Sequence, residues 1–96
     1  MDNDLDHLSM LDLTNNRITS ESVQALAQKG LPSLQALMLS QNFLDEVTIR
    51  AIGGISSYIA YIDLSGCNLV GTSLSLLKDT KLLALQVLNL DYNQFT

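Results

Sequence analysis

Leu34-Gln35-Ala36-Leu37-Met38-Leu39-Ser40-Gln41-Asn42-Phe43-Leu44 is the stretch on which the reading of this chain turns. Its frame, L-x-x-L-x-L-x-x-N/C-x-L, recurs three more times: Leu8, Leu11, Leu13, Asn16 and Ile18; Ile59, Ile62, Leu64, Cys67 and Leu69; Leu85, Leu88, Leu90, Asn93 and Phe95. The copies occupy 8–18, 34–44, 59–69 and 85–95, and they start 26, 25 and 26 residues apart. A fixed period of this length marks repeated supersecondary units that stack on one another. Within each L-x-L core successive side chains point to opposite faces, so Leu11 and Leu13, Leu37 and Leu39, Ile62 and Leu64, and Leu88 and Leu90 turn inward.

The segments between the frames carry helical signals. Val23 and Leu26, Ile49 and Ile52, and Leu74 and Leu77 stand seven and ten residues after each Asn or Cys, which aligns them on one helix face. Helices are expected over about 20–29, 46–53 and 72–79, with N-caps at Thr19 or Ser20, at Asp45, and at Thr72 or Ser73. Gly30 and Gly53 or Gly54 supply stops for the first two, and Pro32 falls beyond the first helix. A helical return of this length lays each strand parallel to the last. Asn16, Asn42, Cys67 and Asn93 are read as structural turn residues: an Asn amide satisfies stray backbone groups in the bend, and a buried Cys fills the same slot as a weak donor.

Four frames in register resemble the leucine-rich repeat family over nearly the whole chain, so 1–96 is read as one leucine-rich repeat domain. The resemblance implies an α/β fold, a right-handed solenoid or horseshoe segment with parallel strands on the concave face and helices on the convex face. The helical connectors are similar to the ribonuclease-inhibitor-like and the cysteine-containing subclasses, both associated with intracellular eukaryotic proteins. Three Asn against one Cys favour the first and the short period favours the second.

Composition agrees with a single folded unit. The chain has 96 residues, of which 47% are hydrophobic and 16% charged, and so has enough apolar material for a core. A net charge of -5 argues against binding to nucleic acid or anionic lipid. One cysteine, Cys67, makes neither an internal disulfide nor a zinc site. The acidic start lacks the features of a signal peptide, and no apolar run approaches the roughly 20 residues of a membrane span. A cytoplasmic location is expected.

Catalysis, metals and cofactors find no support in the motifs. His7 is the sole histidine, and nothing orients Asp4, Asp6 or Ser9 toward it. Asp2, Asp4 and Asp6 alternate like the opening of a calcium loop, but His7 and Leu13 stand where Gly and Glu are required. Gly53-Gly54 has no following Lys and Ser or Thr for a phosphate loop. Asp12 and Asp63 are two strands apart, roughly 10 Å, which is wide for a proton-sharing pair.

The outward strand positions point instead to non-catalytic recognition of a protein. Met10, Asp12, Met38, Tyr61, Asp63, Asn89, Asp91 and Tyr92 are the candidate partner-binding residues: three carboxylates among Tyr and Met, while all five Lys and Arg fall in turns or connectors. Met and aromatic side chains supply contact energy and Asp selects partner sign, so a basic peptide or patch is the expected partner. The alternative is a structural or regulatory segment of a larger protein, such as a receptor, ubiquitin-ligase adaptor or GTPase regulator. Leu88, Leu90 and Phe95 belong to a fourth strand without a following helix, and self-association through that uncapped end is expected if the array does not continue.

Overall fold

The computed structural model describes residues 4–80 and 82–94, with Asp4 and Leu74 described by backbone only. After a 3-10 turn at Asp4–His7 the order is β1 Met10–Asp12, α1 Ser20–Lys29, β2 Ala36–Met38, α2 Glu46–Ile52, β3 Tyr61–Asp63, α3 Gly71–Lys78 and β4 Val87–Asn89. The strands form one parallel sheet in sequence order. Its register is the one the period demands: Leu11 pairs with Leu37, Leu37 with Ile62, and Ile62 with Leu88. Each ladder continues past its short strand. Leu13, Leu39 and Leu64 donate their N–H groups to the carbonyls of Met38, Asp63 and Asn89, and Asn15, Gln41 and Gly66 donate to those of Ser40, Ser65 and Asp91.

The core lies between the sheet and the helices, which pack α1 on α2 and α2 on α3. Leu37, Leu39, Ile62 and Leu64 are at 0% exposure, and Val23, Ile49 and Ile52 close over them from the helices. The outer rungs differ. Leu11 and Leu13 at one end and Leu88 and Leu90 at the other are only partly buried, because among the described residues each has a neighbouring strand on one side. Leu74 and Phe95 were also assigned to the core, and the Leu74 side chain and Phe95 lie outside the described residues.

Helix α1 begins and ends as expected. The Thr19 hydroxyl accepts from Ser22 N–H, and Gly30, at φ 74°, donates to Leu26 from a conformation that suits glycine. Asp45 caps α2 by accepting from Thr48 N–H at 3.0 Å. The expectation for α3 needs correction: the cap position is Val70, not Thr72 or Ser73. Valine has no acceptor, so Ser73 compensates from inside the first turn, its hydroxyl accepting from Val70 N–H at 3.3 Å.

Gly53 is needed for space and not for its backbone angle. Its φ of -62° suits any residue, yet a Cβ there would stand 2.5 Å from the Thr80 carbonyl oxygen, where the end of α3 crosses the end of α2. Gly71, in the first turn of α3, has nothing within 4 Å of the same atom. Gly53→Ala is therefore expected to cost about 1–3 kcal/mol by overpacking, while Gly71→Ala gains about 0.5 kcal/mol. Urea denaturation of the two variants checks this, and equal effects would contradict the close approach.

Candidate functional site

Strand alternation sends Met10, Ala36, Tyr61 and Val87 along one column of the outward sheet face, and Asp12, Met38, Asp63 and Asn89 along the next. Six of the eight candidate residues thus share a face, while Asp91 and Tyr92 follow in the turn after β4. Met10, Asp12, Asp91 and Tyr92 are exposed, and Met38, Tyr61, Asp63 and Asn89 are half-buried among their neighbours. The Lys and Arg residues stand elsewhere, Arg17 in a turn and Lys29, Arg50 and Lys78 on helices. Lys81 lies outside the described residues.

Two of the carboxylates have work inside the fold. Oδ1 of Asp12 accepts from the N–H of Thr14 at 3.0 Å and from its hydroxyl at 2.6 Å. Oδ1 of Asp63 does the same for Ser65, at 3.0 and 2.7 Å. Asn89 repeats the backbone bond to Asp91 at 2.9 Å. This is the side-chain mimic of a turn that Asp and Asn form two residues ahead, and it leaves one carboxylate oxygen of each Asp for a partner. The Thr14 hydroxyl and then its N–H hold the Asp12 carboxyl below its ordinary range. A lowered acid contributes stability above its ordinary value that is lost as pH falls through the folded one. At Met38 no such acceptor exists, and Ser40 instead shares a 2.9 Å hydrogen bond with the Ser65 hydroxyl in the next unit.

The bends behind this face are locked across units. Asn42, 3% exposed, accepts through Oδ1 from Asn16 and Ile18 N–H at 3.1 and 2.9 Å, both in the preceding bend. Its amide nitrogen donates back to Leu13 and within its own bend to Leu39 and Ser40. Asn93 makes the same set, with Cys67 and Leu69 N–H and with the Leu64, Leu90 and Asp91 carbonyls. Cys67 reaches the Leu39 carbonyl with its thiol at 3.1 Å, and burial pushes that thiol upward against the pull of the Asn42 and Gln41 N–H groups. Asn16 differs: among the described residues its side chain bonds only to its own Thr14 carbonyl.

A residue in the left-handed region sits at the same place in every bend: Asn15, Gln41, Gly66 and Tyr92, with φ between 54° and 63°. Gly66 and Asn15 suit it, whereas Gln41 and Tyr92 are strained there. Tyr92 is held there 91% exposed.

A family model for the leucine rich repeat matches residues 6–69, two thirds of the chain. The chain belongs to the leucine-rich repeat family. The match takes in the first three repeats, and β4, in register with β3, places the fourth beside them. No curated protein matches the chain. Repeats of this family suggest a protein-interaction module. Beside the sheet face, a groove of about 510 Å³ follows the bends of repeats 1 and 2, lined by Arg17, Thr19, Gln41, Phe43 and Asp45 among others. Phe43, 81% exposed there, was not among the sequence candidates, because its place in the frame varies freely from Arg17 to Asn68.

Proposed function

We propose that these repeats form a solenoid segment that recognises a protein partner, a basic extended peptide or patch, on the outward face of the sheet. The observation that carries the reading is the collection of Asp12, Asp63 and Asp91 on and beside a face bearing Met10, Met38 and Tyr61, with the described Lys and Arg residues placed elsewhere. One oxygen of Asp12 and of Asp63 is fixed by its turn, so the other is pre-oriented for a cation. In a curved array this face is the concave one.

The reading is non-catalytic and needs no cofactor. It rests on parallel columns in which Met38 separates Asp12 from Asp63, and on His7 standing exposed in the first turn. A net charge of -5 opposes nucleic acid, and no helix among the described residues is long and apolar enough to cross a membrane. A buried free thiol at Cys67 suits a reducing, cytoplasmic setting. Asn at three of four bends favours the ribonuclease-inhibitor-like subclass. A second reading, a scaffold segment serving a neighbouring domain, is favoured by one observation: the carboxylates of Asp12 and Asp63 already close turns.

Extended peptides of graded Lys and Arg content, titrated against the chain and two variants, test the proposal. Asp63→Asn keeps the turn acceptor and removes the charge, whereas charge reversal would also break the turn. Affinity should rise with peptide basicity and fall with salt. Tyr61→Ala and Asp63→Asn should each weaken it by about fivefold or more, with Asp63→Asn changing stability by less than about 0.5 kcal/mol. Unchanged affinity in both variants would reject the sheet face in favour of the scaffold reading.

A further inference from the structure

The outward face of β1, β2 and β3 carries acid on alternate rungs. Asp12, Met38 and Asp63 stand in register on successive strands, with the Met38 thioether between the two carboxylates. Each step of a parallel sheet is about 4.8 Å, which sets Asp12 and Asp63 about 9.6 Å apart. The bonds to Thr14 and Ser65 hold both carboxylates in the same orientation, so the oxygens left for a partner keep that separation. The neighbouring column, about 6.6 Å away along the strands, reads Met10, Ala36 and Tyr61. A methyl between two large side chains makes a notch there, level with Met38. Met10 is exposed, and Ala36, Met38 and Tyr61 are half-buried, so all four present surface to a visitor.

Backbone shape decides which basic segment matches this interval. A β-strand returns a side chain to the same face after two and four residues, at about 7 Å and about 13 Å, and misses it on both sides. A polyproline II helix returns at every third residue, about 9.3 Å on. An α-helix comes as near only after seven residues, at about 10.5 Å, and with a breadth of about 10 Å it covers both columns with one face. We propose that the partner on this face is a polyproline II segment with basic residues three apart, one paired with Asp12 and the other with Asp63, and a proline between them seated at Ala36. The proposal rests on the sheet-face reading and adds to it the partner's conformation and charge interval. The aliphatic stems of the two basic side chains lie toward Met38. Successive side chains of such a segment are turned by about 120°, so with the basic pair on the Asp column one intervening residue faces the notch between Met10 and Tyr61. Proline fits it, against an aromatic wall, and fixes the segment's shape before binding, which lowers the ordering cost. The step between strands is common to parallel sheets; acid on alternate rungs beside a small residue is particular to β1, β2 and β3, since Asn89 follows Asp63 on β4. Strands added beside these three would leave the arrangement in place.

Blocked peptides of equal length and charge, titrated against the full chain by fluorescence anisotropy, are the test. Each carries two Arg set two, three or four residues apart in a proline-rich host, with a Gly-Ser host for the three-residue interval and an Ala-rich host for a seven-residue one. The proline-rich peptide with Arg three apart should bind about three- to fivefold tighter than those with other intervals, the worth of a second exposed ion pair, and tighter than its Gly-Ser counterpart. Asp12→Asn and Asp63→Asn, which keep the turn acceptor, should each erase that preference while melting close to the parent. Equal affinity at every interval, with binding that still rises with basicity, would overturn the interval and leave the sheet face as the site. A Gly-Ser host that binds as well as the proline-rich one would overturn the conformation. Tightest binding at two or four residues would point to a β-strand partner instead, and at seven to a helix. A three-residue preference that survives both Asn variants would also overturn the proposal, since these carboxylates would not be its source. No binding by any of the peptides would reject it together with the sheet-face reading.

Discussion

Asn42→Ala lowers the stability of the chain by about 3–5 kcal/mol, because a single truncation leaves the Asn16 and Ile18 N–H groups and the Leu13 carbonyl of the preceding bend without partners. Asn42 serves two N–H groups of the first bend and three carbonyls in the first and second. It sits at 3% exposure, where water does not readily replace it. Against a typical total of roughly 5–15 kcal/mol the loss is a large fraction, and in a chain of this size it lowers the melting temperature by about 12 °C or more. Asn16→Ala is the matched control. It removes the same residue type from the same place in the frame and costs less than about 1 kcal/mol, since only the bond to Thr14 is lost. Thermal melts followed by circular dichroism compare the two. Equal losses would mean that these asparagines act within their own bends and not across units.

Leu37→Ala is the second large effect, at about 3–4 kcal/mol. Leu37 is at 0% exposure with β1 on one side, β3 on the other and helices behind, so a removed side chain leaves a cavity that neighbours on all sides hold open. The same change at Leu88, whose rung is flanked by a described strand on one side only, should cost about half as much, because that site can relax and was only partly buried. Denaturant midpoints for both variants, with unchanged slope, give the comparison. A loss at Leu88 equal to that at Leu37 would contradict a core whose burial declines toward its outer rungs.

The period made the sheet legible. Intervals of 26, 25 and 26 residues between frames already placed Leu11, Leu37, Ile62 and Leu88 in one rung, and the observed register repeats them. The one-residue shortfall between the second and third frames is taken up in the second connector, where α2 has seven residues against ten in α1. Where residue chemistry was set above the period, the reading went astray. Thr19 and Asp45 lead by the same intervals to Val70, the observed cap, but valine looks nothing like one and the hydroxyls of Thr72 and Ser73 do.

The candidate site was half visible. Alternation identified which side chains face outward, but Asp12 and Asp63 were read only as groups for a partner. The spacing Asp12-Leu13-Thr14 and Asp63-Leu64-Ser65 contains the turn that engages one oxygen of each, a local signal present in the chain. The left-handed column was hidden for a different reason. Gly66 and Asn15 suit that conformation, while Gln41 and Tyr92 do not, so cooperation between units imposes it against local preference. No spacing rule shows that Asn16, alone of the three bend asparagines, bonds only within its own bend among the described residues.

The backward reach of the bend asparagines gives the molecule a grain. Detaching the first strand and helix costs the second unit the Ser9 carbonyl that Gln35 and Ala36 N–H use but leaves the second bend's own N–H groups bonded, whereas pulling away the fourth strips the third bend's Cys67 and Leu69 N–H of their acceptor and so loosens the third. Between the second and third, a thiol and a 3.3 Å contact from Leu44 to the Cys67 carbonyl replace the amide clasp. The chain therefore has a fault line near its middle and frays asymmetrically: amide exchange should travel inward from β4 and pause at that seam, leaving the β1–β2 pair clasped by Asn42 as the last to open.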